Sequence, residues 1–209
     1  MQKALLFING VPPKKLPDTN GYSVIACTDG AFHYLTSKGL PLDQLDFISG
    51  DFDSHSGSDE MLYAEKFIYT PDQDKTDFYK SLEILNEKGI KEVDVYGGSG
   101  GEMDHFLGNL HTAFMFKNEL KITFFDEHSK YFFAPKKIVL SDVEGLLVSL
   151  IPFPITSNVI TQGLNWELSG EELSITSRIG SRNFAVQDTV EIRYGDGDLV
   201  VFVGRERYR

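Results

Sequence analysis

The run Ser49-Gly50-Asp51-Phe52-Asp53-Ser54 places two carboxylates two positions apart just after a short apolar stretch, and further acids follow at Asp72, Asp74, Asp77 and Asp104. Residues 51–77 hold six Asp and two Glu against two Lys, a net −6 of the chain's −11. Two unit charges about 4 Å apart interact at ~4 kcal/mol for an effective dielectric near 20, so this cluster repels a bare phosphate and holds a polyphosphate only through a cation. Oxygen ligands without nearby Cys point to Mg²⁺, with Mn²⁺ as a substitute. The spacing is not that of an EF-hand, which needs Gly at its sixth position and an acid at its twelfth, where this chain has Ser56 and Leu62. Asp-x-Asp alone is also ordinary turn chemistry. The acids around it are what give the pair weight.

Pro71-Asp72-Gln73-Asp74-Lys75-Thr76-Asp77 opens a predicted helix over 78–88, in which Phe78, Leu82 and Leu85 follow i, i+4, i+7 spacing and Gly89 supplies the stop. Acids in a first turn gain about 0.3–1 kcal/mol from the helix dipole. Capping accounts for one or two of them, but three acids with Gln73 and Thr76 in seven residues exceed what a cap needs, which makes Asp77 and Asp74 candidates for binding. Gly97-Gly98-Ser99-Gly100-Gly101 follows a predicted strand and leads through Asp104 into a helix marked by Leu107, Leu110 and Phe114. Its backbone N–H groups suit phosphate, although its spacing fits neither the dinucleotide fingerprint nor the Walker loop. Asp104 has an alternative reading as the N-cap of that helix. His105 and His111 lie six apart, off a common helix face, which argues against a two-histidine metal site.

The elements that must position these groups follow from the apolar pattern. In the first half, short apolar runs at 4–8, 22–28, 47–49, 67–70, 92–96 and 122–126 alternate with helical periodicity, the pattern of an α/β domain with a mostly parallel sheet. Asp29, Asp51, Asp53, the 72–77 group and Asp104 each follow a predicted strand, and ligands of open α/β sheets bind beyond the strands' carboxyl ends. From about residue 121 the helical period disappears, and β-rich runs at 130–133, 137–140, 145–151, 173–176, 189–194 and 199–203 indicate an all-β sandwich or small barrel. The expected domains are therefore an α/β domain, 1–125, and a β-sandwich, 126–209, with the boundary near residues 118–135.

With 209 residues, 41% hydrophobic and 24% charged, the chain can bury a sizeable core. Ala4 to Ile8 is too short for a secretory core, and no run approaches the ~20 apolar residues of a membrane span, so a cytoplasmic protein is expected. One cysteine, Cys27, excludes an intrachain disulfide and a thiolate cage, and its apolar setting makes it a core residue. A pI near 4.9 argues against nucleic acid or anionic lipid as partners and favours a cationic small molecule. Trp166, the single tryptophan, reads by itself as core.

Taken together, Thr28-Asp29-Gly30-Ala31, the 49–54 run, Pro71 through Lys80, and Gly100-Gly101-Glu102-Met103-Asp104-His105-Phe106-Leu107-Gly108-Asn109-Leu110 resemble thiamine pyrophosphokinase. Gly163-Leu164-Asn165-Trp166 and Ser181-Arg182-Asn183-Phe184 extend the resemblance over nearly the whole chain. The resemblance implies transfer of pyrophosphate from ATP to the thiamine hydroxyl with release of AMP, by an α/β nucleotide- and metal-binding domain (1–125) joined to a thiamine-binding β-sandwich (126–209), in a homodimer whose site is shared between subunits. It further implies that Asp51, Asp53 and Asp77 bind Mg²⁺, and that Asp29, Gly30, Gln73, Thr76 and Asn109 line the ATP and thiamine cleft. Asp104 would contact thiamine, with Trp166 and Ser181 contributed by the β-domain of the other subunit. On that reading Trp166 becomes an aromatic face for a cationic ligand, a contact worth about 0.5–2 kcal/mol.

The chain departs from the family pattern in three places. Glu102 stands where an arginine is common, Arg182 splits the usual Ser-Asn pair, and Ala31 replaces a second glycine. Lys75, Arg178 and Arg182 are the cations available to stand in for the arginine. Either Asp104 or Asp51 is the expected acceptor of the hydroxyl proton. Two rival readings are a haloacid-dehalogenase-type phosphatase with Asp51 as nucleophile, which Gly50 and the extra acids fit poorly, and a protein that binds thiamine or a nucleotide without turnover.

Overall fold

A computed structural model describes residues 2–51 and 64–207, so Asp53, with Phe52 and Ser54, lies outside the described residues. The chain divides into two compact units, Met1–Asp126 and Glu127–Arg209.

In the first unit the short apolar runs become six strands: β1 (Lys3–Phe7), β2 (Val24–Thr28), β3 (Phe47–Gly50), β4 (Phe67–Tyr69), β5 (Glu92–Tyr96) and β6 (Lys121–Phe125). They lie in the order β4-β3-β2-β1-β5-β6, and the ladders between these neighbours are parallel. Strands β1, β2 and β5 bury four consecutive residues each, as strands covered on both faces must. The covering helices are α1 (Asp29–Ser37), α2 (Asp77–Glu87) and α3 (Met103–Phe116). Phe32 and Leu35 of α1 pack on Leu5, Phe7, Cys27 and Ile48. Phe78 of α2 meets Phe124 edge-on at 5.7 Å, while Tyr79 meets Phe116 of α3 at 4.9 Å. Past the end of α2, the Ile90 N–H turns back to the Leu85 carbonyl at 3.0 Å, beside Gly89 where the stop was expected.

Helix α1 was not legible in the apolar pattern. Its buried positions, Ala31, Phe32 and Leu35, are few, and Gly30, Thr36 and Ser37 dilute them. Asp29 is consequently the first residue of a helix and not a loop residue.

The second unit holds β7 (Ser129–Phe133), β8 (Lys137–Leu140), β9 (Leu146–Gln162), β10 (Ser169–Ser174), β11 (Gly180–Phe184), β12 (Val190–Arg193) and β13 (Gly197–Arg207). Its ladders are antiparallel. Strand β9 runs through Pro152 and Pro154, where the sequence reading ended it at Ile151, and pairs with β10, β11, β12 and β13. Proline lacks a donor but still fits where the ladder shifts register, as it does between Gly197 and Leu199 opposite this stretch. Val148, Leu150, Val159, Leu199, Val201 and Ile192 belong to one buried cluster. Across the described residues as a whole the pairing is mixed, six antiparallel ladders against five parallel, because the second unit's strands are joined without helical crossovers. Among the described residues no helix is long and apolar enough to cross a membrane.

Cys27, at the buried end of β2, is fully covered. Burial, reinforced by the Asp29 carboxylate, pushes its thiol pKa far above the ordinary range. In native buffer at pH 8 a thiol-exchange reagent should therefore label Cys27 roughly 100-fold more slowly than in denaturant. Rapid labelling of the folded protein, followed by mass spectrometry, would show that the thiol is reached.

Candidate active site

Parallel pairing sends the carboxyl ends of β1 to β6 to one edge of the sheet, and the sequence's candidate groups follow those ends. After β2, Asp29 is only 6% exposed, and its Oδ1 accepts the Gly30 N–H at 2.6 Å. Strand β3 ends in Gly50, and a Cβ there would collide with the Asp29 carboxylate, so the glycine makes room for the acid. A side chain at Gly30 would run into the carboxamide of Asn9, which follows β1. Next along the chain, Asp51 accepts a hydrogen bond from the Gln73 amide, Nε2 to Oδ2, at 3.0 Å.

The start of α2 is fastened to β3 by buried hydroxyls. The Ser81 hydroxyl donates to the Asp77 carbonyl at 2.7 Å, so at the 2.7 Å contact between the two serines Ser49 is the donor. Thr76 is the N-cap of α2, its Oγ1 accepting the Tyr79 N–H at 3.2 Å. The Asp77 carboxylate takes the Lys80 ammonium at 2.8 Å, and the same ammonium donates to the carbonyls of Thr70 (2.7 Å) and Asp72 (3.2 Å). Asp74 is exposed, and its N–H donates to the Asp72 carboxylate at 2.9 Å, an Asx turn that shapes the loop.

On the other side of β1, the glycine loop after β5 is held from two directions. The Asn109 amide of α3 donates to the Gly98 carbonyl at 3.0 Å, and the Val11 N–H donates to the Ser99 carbonyl at 3.1 Å. Gly97 has φ +80°, and a Cβ there would overlap the Ile8 carbonyl. The order β4-β3-β2-β1-β5-β6 reverses direction beside β1, and the crevice between the ends of β1 and β5 is the topological switch point where such sheets take ligands. Asp104 lies in the first turn of α3 and is not its N-cap, which is Glu102, a residue whose side chain makes no capping bond. Its Oδ1 accepts the adjacent His105 N–H at 3.0 Å.

The cations weighed as stand-ins for the missing arginine have other partners in two of three cases. Lys75 donates to Glu83 at 2.7 Å, and that carboxylate raises its pKa. Arg178 lies 3.9 Å from Glu171. Arg182 has φ +56° and its N–H donates to the Ser149 hydroxyl at 2.9 Å. In β11, Gly180 faces Leu150 while Asn183 faces Val148, three steps against two, so the residue that splits the Ser-Asn pair is absorbed as a bulge.

Within the second unit, Trp166 is 59% exposed, which corrects its first reading as core. Its ring rests against Phe184 at 5.5 Å, edge to face. Asn183, 8% exposed, holds the Trp166 backbone at both ends, accepting its N–H at 3.1 Å and donating to its carbonyl at 2.7 Å. Ser181 is exposed on the same strand. Among the described residues no group of three or more His, Cys, Asp or Glu side chains is gathered to hold a metal. Asp51 and Asp77 are described and Asp53 is not. The two described donors are carboxylates, the ligand chemistry of a hard divalent cation.

Sequence reasoning missed Lys80, Ser49, Ser81 and Asn9. Of these only Lys80 left a signal, its i, i+3 spacing from Asp77 on one helix face.

Residues 19–124 match the family described as thiamin pyrophosphokinase, catalytic domain, and residues 136–199 match thiamin pyrophosphokinase, vitamin B1 binding domain. Thiamine pyrophosphokinase 1 of Oryza sativa subsp. japonica is 30% identical over 171 residues, 74% of this chain and 64% of the rice protein, so the match spans less than two thirds of that relative. Thiamine pyrophosphokinase of Bacillus subtilis (strain 168) is 24% identical over 95% of this chain and 97% of its own. Among solved structures, thiamin pyrophosphokinase from Geobacillus thermodenitrificans superimposes with a TM-score of 0.82 at 20% identity, covering 97% of this chain and 98% of that one. The Candida albicans structure gives 0.84 at 17% identity over 98% and 89%. Both share the fold.

The different burial of Trp166 and its anchor has a measurable consequence. Asn183→Ala should cost about 1–3 kcal/mol, since it takes the partner from both the N–H and the carbonyl of Trp166, whereas Trp166→Ala should cost less than about 1 kcal/mol. Urea denaturation of the two variants checks the order. Equal losses would mean that Trp166 is structural.

Proposed function

The chain belongs to the thiamin pyrophosphokinase family, and we propose that it transfers pyrophosphate from ATP to the hydroxyl of thiamine, giving thiamine diphosphate and AMP. The observation that carries this reading is the convergence of Asp29, Asp51 and the Asp77 end of α2 on the carboxyl edge of one parallel sheet, fastened together by Gly50, Gln73 and Ser81.

In this mechanism the thiamine oxygen attacks the β-phosphorus in line, the bond from that phosphorus to the α-phosphate bridging oxygen breaks, and AMP leaves. The hydroxyl proton passes to a carboxylate, Asp104 or Asp51. Asp51, Asp53 and Asp77 would hold Mg²⁺ or Mn²⁺, which supplies charge neutralisation on the phosphate oxygens. The chain's own contribution is positioning and preorganised electrostatics. Gln73 fixes the orientation of Asp51. The backbone N–H groups of Gly97 to Gly101, held by Asn109 and Val11, offer donors to the polyphosphate without side-chain obstruction. Asp29, Gly30, Asp74 and Thr76 complete the nucleotide-binding set, with Thr76 acting through its cap of α2.

The first unit is then the ATP- and metal-binding domain and the second the thiamine-binding domain. The protein works as a homodimer in which the partner subunit's Trp166 and Ser181 complete the site. An exposed indole is suited to the flat pyrimidine and cationic thiazolium of thiamine. A buried, reduced Cys27 suits the cytoplasm.

Purified protein given ATP, Mg²⁺ and thiamine should release AMP with thiamine diphosphate. Release of ADP, or no turnover at high enzyme concentration, would sink the proposal. Asp51→Asn and Asp77→Asn should each lower turnover by roughly two orders of magnitude or more with an unchanged circular dichroism spectrum. A near-normal rate in either variant would remove that residue from the metal set.

A further inference from the structure

Helix α2 buries Phe78, Ser81, Leu82 and Leu85, and among them it buries a lysine, Lys80, at 5% exposure. A buried ammonium is stable only when its three donors are met. Here all three are, by the Thr70 carbonyl at 2.7 Å, the Asp72 carbonyl at 3.2 Å and the Asp77 carboxylate Oδ1 at 2.8 Å. Charge balance alone would need only the carboxylate. The two carbonyls belong to the strap that leaves β4 and arrives at α2, so one side chain gathers both ends of that strap onto a single point.

Two candidate ligands hang from this arrangement. Asp77 has one oxygen committed to Lys80, and its other oxygen, on a side chain 36% exposed, takes no protein hydrogen bond among the described residues. Gln73 stands in the middle of the strap and holds Asp51 at 3.0 Å. The segment's other lysines serve elsewhere, Lys66 on the carbonyls of Leu42, Asp43 and Leu45 and Lys75 on Glu83.

We propose that Lys80 is the positioning residue of the metal-binding side of the site: its ammonium presents Asp77 to a divalent cation through one oxygen and, by way of the strap and Gln73, keeps Asp51 in register with it. The proposal rests on the pyrophosphoryl-transfer reading only for its kinetic arm. As a cation beside a cation site, Lys80 opposes metal binding by charge and assists it by geometry, and the two effects have opposite signs in the Lys80→Met variant.

The test titrates Mn²⁺ into the whole protein by electron paramagnetic resonance, with and without ATP, and measures kcat and KM for thiamine. Lys80→Met should bind Mn²⁺ at least fivefold more weakly and lose at least tenfold in kcat, with KM for thiamine within threefold of the parent. Mn²⁺ affinity unchanged or increased, or kcat retained, would overturn the proposal. Lys80→Gln, which keeps a donor for one carbonyl, carries the same comparison if the methionine variant does not fold. A parent protein that makes no AMP refutes the proposed reaction, while the Mn²⁺ titration still decides the role of Lys80.

Discussion

Parallel pairing in the first unit is the constraint on which the rest depends. Parallel neighbours cannot be joined by a tight turn, so each strand must leave the sheet at the same edge and return through a crossover. Acids placed after successive strands, Asp29 after β2 and Asp51 after β3, with the 70–77 strap after β4, are thereby delivered to one edge, although up to about fifty residues separate them. The strand ends approach closely because the chain has no side chain at Gly50, where Asp29 sits, or at Gly97, which backs onto Ile8.

An edge carrying so much negative charge needs internal compensation, and the chain supplies it with neutral donors and with the buried Lys80 ammonium. The Asp29 carboxylate takes a backbone N–H, Asp51 a side-chain amide and Asp77 an ammonium. Hydrogen bonds to ionised acceptors are stronger and shorter than neutral ones, which keeps these carboxylates oriented. The hydroxyl chain from Ser49 through Ser81 to the Asp77 carbonyl ties strand to helix without adding charge.

The second unit solves a different problem, that of holding an aromatic side chain in the open. An indole left 59% exposed has little burial of its own to fix it, so its backbone is fixed instead, by a buried asparagine whose carboxamide spans both the N–H and the carbonyl of Trp166. The bulge at Arg182 keeps Asn183 facing inward despite the additional residue between it and Ser181. Without that bulge a one-residue slip would turn the asparagine to the opposite face of the strand.

Apolar periodicity and charge alone determined the strands of the first unit to within about two residues, helix α2 with its stop before Gly89, the β-rich second half, and the acidic set of Asp29, Asp51, Asp77 and Asp104 as candidates. Those are local signals, readable because backbone period and side-chain polarity repeat within a few residues. Helix α1 was too diluted by Gly30, Thr36 and Ser37 to register, and β9 was masked by two prolines that a shift in ladder register accommodates. Tertiary structure alone decided who holds the candidates: Gln73 on Asp51 across 22 positions, Ser49 on Ser81 across 32, Asn183 on Trp166 across 17. Such partners carry no local pattern, since they are chosen by how crossovers and ladders bring distant segments together and by the cost of leaving a buried polar group without a mate.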